Sequence, residues 1–349
     1  MSISVLVVDD SALIRTLLSE IVTGAPDMRL VGAAPDAYVA RDLINQHSPD
    51  VVTLDIEMPR MDGLTFLDKM MRARPTPTIM ISTLTEEGAE ATLRALELGA
   101  VDFVPKPKLG IREGMAEYSA LILEKIRVAA KARVRKPPAA GQRPTAGSLQ
   151  ISGTEQLLAI GASTGGTEAI KELLMQLPIN TPGTVITQHM PAGFTSSYAQ
   201  RLDRLCAMRV QEARGGERIL PGHAYLAPGN WHLLVERHGS DYVTRLSDAE
   251  PVQRHRPSVD VMFQSVARAV GANASAVILT GMGKDGAEGM LSIRTVGGHT
   301  LAQDEQSCVV FGMPKEAIGR GGVQTVAPLS ELGGHLLDHF QRRGRDNRV

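Results

Sequence analysis

Short apolar runs alternate with amphipathic ones through the first 130 residues, and that rhythm admits few folds. Ser4–Val8, Arg29–Ala33, Val51–Leu54, Thr78–Ile81 and Asp102–Val104 have the length and composition of strands. Between and after them, Ala12–Val22, Ala37–Gln46, Leu64–Met71, Glu87–Leu98 and Ala116–Ala129 place their apolar residues at helical spacing. Strands separated by helices pair in parallel through crossovers, with the helices covering the faces of the sheet. Five such units predict an open five-stranded parallel sheet, whose ligand site lies beyond the carboxyl ends of its strands.

Chemistry-bearing residues stand at those ends. Asp9 and Asp10 follow the first strand, Asp55 the third, Ser82 and Thr83 the fourth, and Lys106 the fifth. Three clustered acids are costly unless a cation neutralises them, and a small set of oxygen ligands that leaves room for water suits Mg²⁺. Asp55 is the candidate nucleophile toward a phosphoryl group, because Met58-Pro59 and Asp62-Gly63 turn the chain sharply away behind it. Mg²⁺ and the Lys106 ammonium would balance charge on the phosphoryl oxygens, and the Ser82 hydroxyl could hydrogen-bond the product. Aspartates at strand ends often only cap helices, but capping does not account for Lys106-Pro107 at the fifth strand. The first third of the chain therefore reads as a switch. The segments VVDDS (7–11), DIEMPRMDG (55–63), ISTLT (81–85) and DFVPKP (102–107) resemble the receiver domain of two-component response regulators, over roughly the first 125 residues. That resemblance implies a flavodoxin-like fold and phosphorylation of Asp55 by a histidine kinase. It further implies Mg²⁺ held by Asp10, Asp55 and the Glu57 carbonyl with Asp9 assisting, and Ser82 and Phe103 as switch residues. Pro105, ahead of Lys106, departs from the Thr or Ser often found there.

At 349 residues the chain is long enough for two domains. Residues 1–128 hold 13 Lys+Arg against 19 Asp+Glu, whereas 129–150 hold five basic residues, no acid, and Pro137, Pro138, Pro144, Gly141 and Gly147. Such composition marks a linker, so the expected layout is a receiver at 1–128, a basic linker at 129–152 and a second domain at 153–345. The formal net charge of -1 shows no basic excess that would indicate nucleic acid. Cys206 and Cys308 are far apart, without a zinc or disulfide pattern, and are expected as small buried apolar residues. With no apolar run of about 18 residues and no signal segment before the first strand, a cytoplasmic protein without membrane insertion is expected. The charged stretch Gln341–Val349 is expected to fray.

The second domain opens with the strand Gln156–Ile160, the turn Gly161-Ala162-Ser163-Thr164-Gly165-Gly166 and the helix Glu168–Met175. Gly161-x-Ser163-x-Gly165 fits a nucleophile elbow, yet the same glycines could cradle a dinucleotide pyrophosphate. A dinucleotide site calls for an acid after the second strand, but Gly183–Thr187 ends in Gln188-His189. A serine nucleophile requires a neighbouring base, which makes His189 the candidate. The strand Ala276–Leu279 leads to Asp285, a carboxylate that could orient the imidazole, with Asp304 after Gly298–Ala302 as the reserve acid. Each of Ser163, His189 and Asp285 follows a parallel strand, so the fold would bring them to one crevice. Of the other histidines, His255 stands out in His255-Arg256-Pro257-Ser258, where substrate contact and helix capping by Ser258 remain open. The Met282 amide could donate to an oxyanion.

The segments IGASTGGTEAI (160–170), TQHMPAGFT (187–195), LAPGN (226–230), HRPSVDV (255–261), LTGMGKDGA (279–287) and AQDEQSCVVFGMP (302–314) resemble the CheB family of chemotaxis methylesterases. The resemblance implies a doubly wound, mostly parallel α/β domain with the catalytic residues Ser163, His189 and Asp285. Backbone donors at Thr164 and Met282 would bind the oxyanion, and no cofactor is implied in this domain. It implies a serine carboxylic-ester hydrolase that acts on glutamate γ-methyl esters, and deamidates particular glutamines, on chemoreceptor cytoplasmic helices. The partners implied are those chemoreceptors and a chemotaxis histidine kinase, with recruitment to membrane receptor arrays. Before phosphorylation the receiver is expected to obstruct the catalytic crevice. Lys284 stands where many relatives carry a small residue and is expected to tune substrate preference. Two other classes stay open: a regulator whose second domain only binds a partner or nucleotide, and a general esterase or amidase with the same triad.

Overall fold

The computed structural model describes residues 2–83, 85–106, 115–134 and 155–346. The chain divides into two compact units, Met1–Ala140 and Gly141–Val349. Of the expected linker, Ala129 is still helical and residues 135–152 lie outside the described residues, as does Pro107.

In the first unit the elements are β1 (Ile3–Val8), α1 (Ala12–Thr23), β2 (Met28–Ala34), α2 (Ala37–His47) and β3 (Val51–Asp55). They continue with α3 (Gly63–Ala73), β4 (Thr78–Ser82), α4 (Glu86–Glu97), β5 (Asp102–Pro105) and α5 (Met115–Ala129). The strands pair in parallel in the order β2-β1-β3-β4-β5. Val5, Leu6, Val7 and Val8 are fully buried, as a strand covered by helices on both faces requires. Ser11, Asp36, Asp62 and Thr85 cap α1 to α4, each accepting from an amide of the first turn. Helix capping thus falls to residues other than Asp9 and Asp55. Gly63 starts α3 directly against the end of β3: its amide donates to Ile56 O at 2.8 Å, and a Cβ there would lie 2.0 Å from the Asp55 carbonyl oxygen.

The second unit begins with β6 (Leu157–Ala162), α6 (Gly166–Met175), β7 (Gly183–Gln188), α7 (Phe194–Leu205), β8 (Arg209–Glu212) and β9 (His223–Leu226). Next come β10 (His232–His238), β11 (Asp241–Ser247), α8 (Val259–Val270), β12 (Ala274–Ile278) and α9 (Ala287–Thr295). Then follow β13 (His299–Gln303), α10 (Met313–Gly319), β14 (Thr325–Ala327) and α11 (Leu329–Asp346). Seven strands form one sheet in the order β14-β13-β12-β6-β7-β9-β8, every neighbouring pair parallel. Antiparallel pairing is confined to the separate hairpin β10–β11. The strand order reverses about β6, which has β7 on one side and β12 on the other, and a crevice opens at such a point. Met262, Phe263 and Val266 of α8 are fully buried and join β6, β7 and β12 in one core.

Two expectations need correction. Cys308 is buried but Cys206 only partly so. The tail is helical through Asp346 rather than frayed from Gln341, because Phe340 and Leu336 bury the apolar face of α11; residues 347–349 lie outside the described residues. Since the Gly63 position offers no room for a methyl group, Gly63→Ala is expected to cost the first unit about 1–3 kcal/mol. Urea denaturation of the full chain followed by circular dichroism measures it, and an unchanged midpoint would refute the close approach.

Candidate active site

At the carboxyl edge of the first sheet, oxygens of Asp9, Asp10 and Asp55 lie within 4.8 Å of one another, the first and last buried and Asp10 exposed. Lys106 Nζ donates to Asp55 Oδ2 at 2.7 Å and stands 3.4 Å from Asp9 Oδ2. Burial pushes the Asp55 carboxyl up to about 6; the Lys106 hydrogen bond opposes this and the Asp9 charge adds to it. Burial likewise raises Asp9, whose buried Oδ2 accepts no hydrogen bond. A cation with oxygen preference could complete this set. The Glu57 amide donates to Asp55 Oδ1 at 3.3 Å. Ser82 lines a small cleft with Asp55 and Thr83, but its hydroxyl is engaged by Thr92 Oγ1 at 2.6 Å and the Gly88 carbonyl at 3.2 Å. Phe103 is buried on β5.

In the second unit Ser163 follows β6 in a turn that only small residues permit. Gly165 takes φ +76, and a Cβ on Gly281 would lie 2.8 Å from the Ser163 Cβ and 2.3 Å from Met313 Sδ. The Ser163 amide donates to Thr280 O at 3.0 Å, while its carbonyl accepts from the Gly166 amide at 2.7 Å and Gln188 Nε2 at 2.9 Å. His189 follows β7 and Asp285 the loop after β12. His189 Nδ1 lies 3.1 Å from Ser163 Oγ, and Nε2 lies 2.7 Å from Asp285 Oδ2. Ser163 is 8% exposed and Asp285 1%, so the relay is shielded from water. With Asp285 ionised, the consistent tautomer carries its proton on Nε2 and leaves Nδ1 to accept from the serine.

Asp285 is ionised because α8 begins beside it. Its carboxylate accepts from Ser258 Oγ at 2.8 Å, the Val259 amide at 2.7 Å and the Asp260 amide at 3.0 Å, and a helix N-terminus favours an anion. Burial pushes Asp285 upward, but the hydrogen bond and charge of His189, with the amides of Asp260 and Val259, outweigh it and hold the carboxyl below the usual range. Neighbouring Asp260 shifts the other way, raised by burial and then by the Asp285 charge, although the Gly289 amide donates to it at 2.8 Å. The two carboxyls are thus shifted in opposite directions, with the charge favoured on Asp285.

The three expected catalytic groups therefore meet. The reserve acid Asp304 is not among them: it accepts from Ser307 within its own loop. Thr164 is buried, whereas Met282 is 37% exposed and Lys284 is exposed on the same turn. Reading the sequence assigned Ser258 only its capping bond, which is present to Val261 N at 3.4 Å, and missed its bond to Asp285. It also missed Asp260, Gln188 and the buried His232, whose Nδ1 accepts from the Ser258 amide at 3.1 Å. His255 stacks on His189, ring centroids 3.7 Å apart and planes 11° from parallel.

The family model described as CheB methylesterase matches residues 158–336, and that of the response regulator receiver domain matches residues 5–113. A Pseudomonas aeruginosa protein named protein-glutamate methylesterase/protein-glutamine glutaminase 2 is 60% identical over 349 residues, covering all of both chains. A Methylobacillus flagellatus protein of the same name without the number is 60% identical over 356 residues, again across both chains. The crystal structure of the Thermotoga maritima CheB methylesterase catalytic domain superposes with a TM-score of 0.52 at 38% identity, covering 53% of this chain and 98% of that one.

The raised Asp55 carboxyl makes a pH prediction. A carboxyl whose folded pKa exceeds its unfolded value holds its proton more tightly when folded, so its contribution favours folding at low pH and is lost as pH rises through about 6. Without divalent cations the receiver is expected to lose about 3 kcal/mol from this group between pH ~4 and ~7. Asp55→Asn should remove most of that slope; thermal melts in chelator across this range check it, and a slope unchanged in the variant contradicts it.

Proposed function

The chain belongs to the CheB methylesterase family with a response-regulator receiver at its N-terminus, and we propose that Ser163, His189 and Asp285 hydrolyse glutamate γ-methyl esters on chemoreceptor cytoplasmic helices. The carrying observation is the unbroken relay from Ser163 Oγ to His189 Nδ1 at 3.1 Å and from Nε2 to Asp285 at 2.7 Å. We assign the receiver to residues 1–128, the linker to 129–152 and the catalytic domain to 153–345.

The reaction begins when Ser163 Oγ attacks the γ-carbonyl carbon and His189 Nδ1 takes the hydroxyl proton, a step worth about 10²–10⁴-fold. Negative charge moves to the carbonyl oxygen, for which we assign the amides of Thr164 and Met282 as donors; a donor of this kind is worth about 10²–10³ in rate. Asp285 stabilises the imidazolium and holds its plane. His189 then protonates the departing methoxide, leaving Ser163 acylated and methanol free. Water, deprotonated by the same imidazole, attacks the acyl carbon, and Ser163 recovers its proton as the glutamate carboxylate leaves. A glutamine enters the same sequence with ammonia as leaving group. Nucleophile, base and oxyanion donors all come from the protein, so the assignment needs no cofactor here.

In the receiver, the buried Asp9 Oδ2, which accepts no hydrogen bond and has only the Lys106 ammonium at 3.4 Å, stands beside Asp10 and Asp55 in a set that fits a hard divalent cation. Asp10, Asp55 and the Glu57 carbonyl would hold Mg²⁺ with Asp9 assisting, and the ion would offset charge on a transferring phosphoryl group. Asp55 accepts that group from a chemotaxis histidine kinase, Lys106 pairs with it, and Ser82 and Phe103 relay the change to activate the esterase. No helix among the described residues is long and apolar enough to cross a membrane; a cytoplasmic protein recruited to receptor arrays accords with substrates on cytoplasmic helices.

Methanol release from methylated chemoreceptor membranes tests the reading with the intact chain, Ser163→Ala and Asp55→Asn, each with and without a small phosphodonor. A phosphodonor should raise the intact activity and leave Asp55→Asn at its basal rate, while Ser163→Ala should lose at least ~10³-fold. Full activity in Ser163→Ala would end the catalytic assignment. Activity on small esters that ignores the receptor helix would instead favour a general esterase.

A further inference from the structure

One nine-residue segment, Val252–Asp260, grips two members of the relay. Its C-terminal half supplies Ser258 Oγ and the amides of Val259 and Asp260 to Asp285. Its N-terminal half closes a tight hairpin, with the Val252 amide donating to His255 O at 3.1 Å and the His255 amide to Val252 O at 2.9 Å. The two residues between them, Gln253 at φ 52 and Arg254 at φ 70, occupy the left-handed region that such turns usually reserve for Asn and Gly. A strained turn persists only where its surroundings over-determine it. Here Gln253 Nε2 donates to Asp260 Oδ2 at 2.9 Å, Arg256 Nη1 to Asp248 O at 2.6 Å, and the Asn230 amide to Arg256 O at 3.2 Å. The outcome is that His255 is pressed face to face on His189, 3.7 Å between centroids.

We propose that His255 is a positioning residue for the general base, acting through its ring face; this rests on the triad proposed above. Hydrogen bonds to Ser163 and Asp285 fix two points on the edge of the His189 ring, and both lie in its plane. They leave rocking about the line between those points weakly opposed. A parallel ring at van der Waals distance removes that motion. In its neutral form the aromatic face of His255 also favours positive charge on its neighbour, and in the proposed mechanism His189 carries that charge only once it has taken the serine proton. An interaction that strengthens along the reaction raises kcat rather than affinity.

The test measures labelling of Ser163 by a fluorophosphonate in the full chain, which reads serine activation without any receptor, together with kcat and KM for methanol release. The variants are His255→Ala, which removes the ring, His255→Leu, which keeps bulk, and His255→Phe, which keeps an aromatic face. Ala and Leu should slow labelling and lower kcat by about tenfold or more, with KM within about twofold, while Phe stays within about threefold of the intact chain. Equal rates for Leu and Phe would reduce His255 to filler, and a change confined to KM would make it a substrate contact; either overturns the proposal. Gln253→Ala loosens the turn without touching the ring and should slow labelling by a smaller factor, which decides the matter if the His255 variants melt early; unaltered labelling there would then count against the role. An intact chain that resists the label while Ser163→Ala does the same would show that the triad reading itself had failed.

Discussion

A carboxylate at 1% exposure must find its compensation inside the protein, and Asp285 finds it at the first turn of α8. A hydroxyl, two amides and an imidazole N–H converge on its two oxygens, so the charge persists where burial alone would have quenched it. The rest of the second unit is arranged around that contact. Anchoring Asp285 sets the plane of His189, and with it the direction of the hydrogen bond to Ser163 through which the proposed proton transfer would run. The same helix contributes Met262, Phe263 and Val266 to the core beneath β6 and β12. The electrostatics of the proposed triad and the core packing therefore rest on one element.

Asp55 meets the same difficulty in the first unit and is left less satisfied. It has the Lys106 ammonium and the Glu57 amide on its own oxygens, but also a buried acidic neighbour. Asp285 is held below its ordinary range and Asp55 above it. The contrast matches the work proposed for each. An orienting carboxylate serves best with a fixed charge, whereas an acceptor that gains a phosphoryl group is suited to a pocket still short of positive charge.

Much of this was legible in the chain because parallel sheets leave little choice. Once apolar runs alternate with helices, every strand end points to one edge, so Ser163, His189 and Asp285 could be expected together across 122 residues of sequence. The strands that were expected in both units fell within two residues for the same reason, whereas β8, β9 and β14 had not been anticipated. The hairpin β10–β11 escaped, since residues 206–247 are rich in turns and the apolar alternation that marks it is short. Ser258 was read as a cap and nothing more, because sequence carries no distance between the start of α8 and a loop 27 residues onward. The left-handed Gln253 and Arg254 have no signature at all: side chains of that kind ordinarily avoid such backbone, and only the surrounding bonds hold them there.

The orientation of the His189 ring has a mechanical corollary. Nδ1 is bonded directly to Cγ, whereas Nε2 stands at the outer end of the imidazole. By turning Nδ1 to the serine, the protein gives the proposed proton acceptor the shorter lever arm. Small torsional wobble of the side chain then displaces that atom little, and the accepting nitrogen inherits the stiffness of the strand that carries it. The longer arm is left to the carboxylate, which is the end that is clamped.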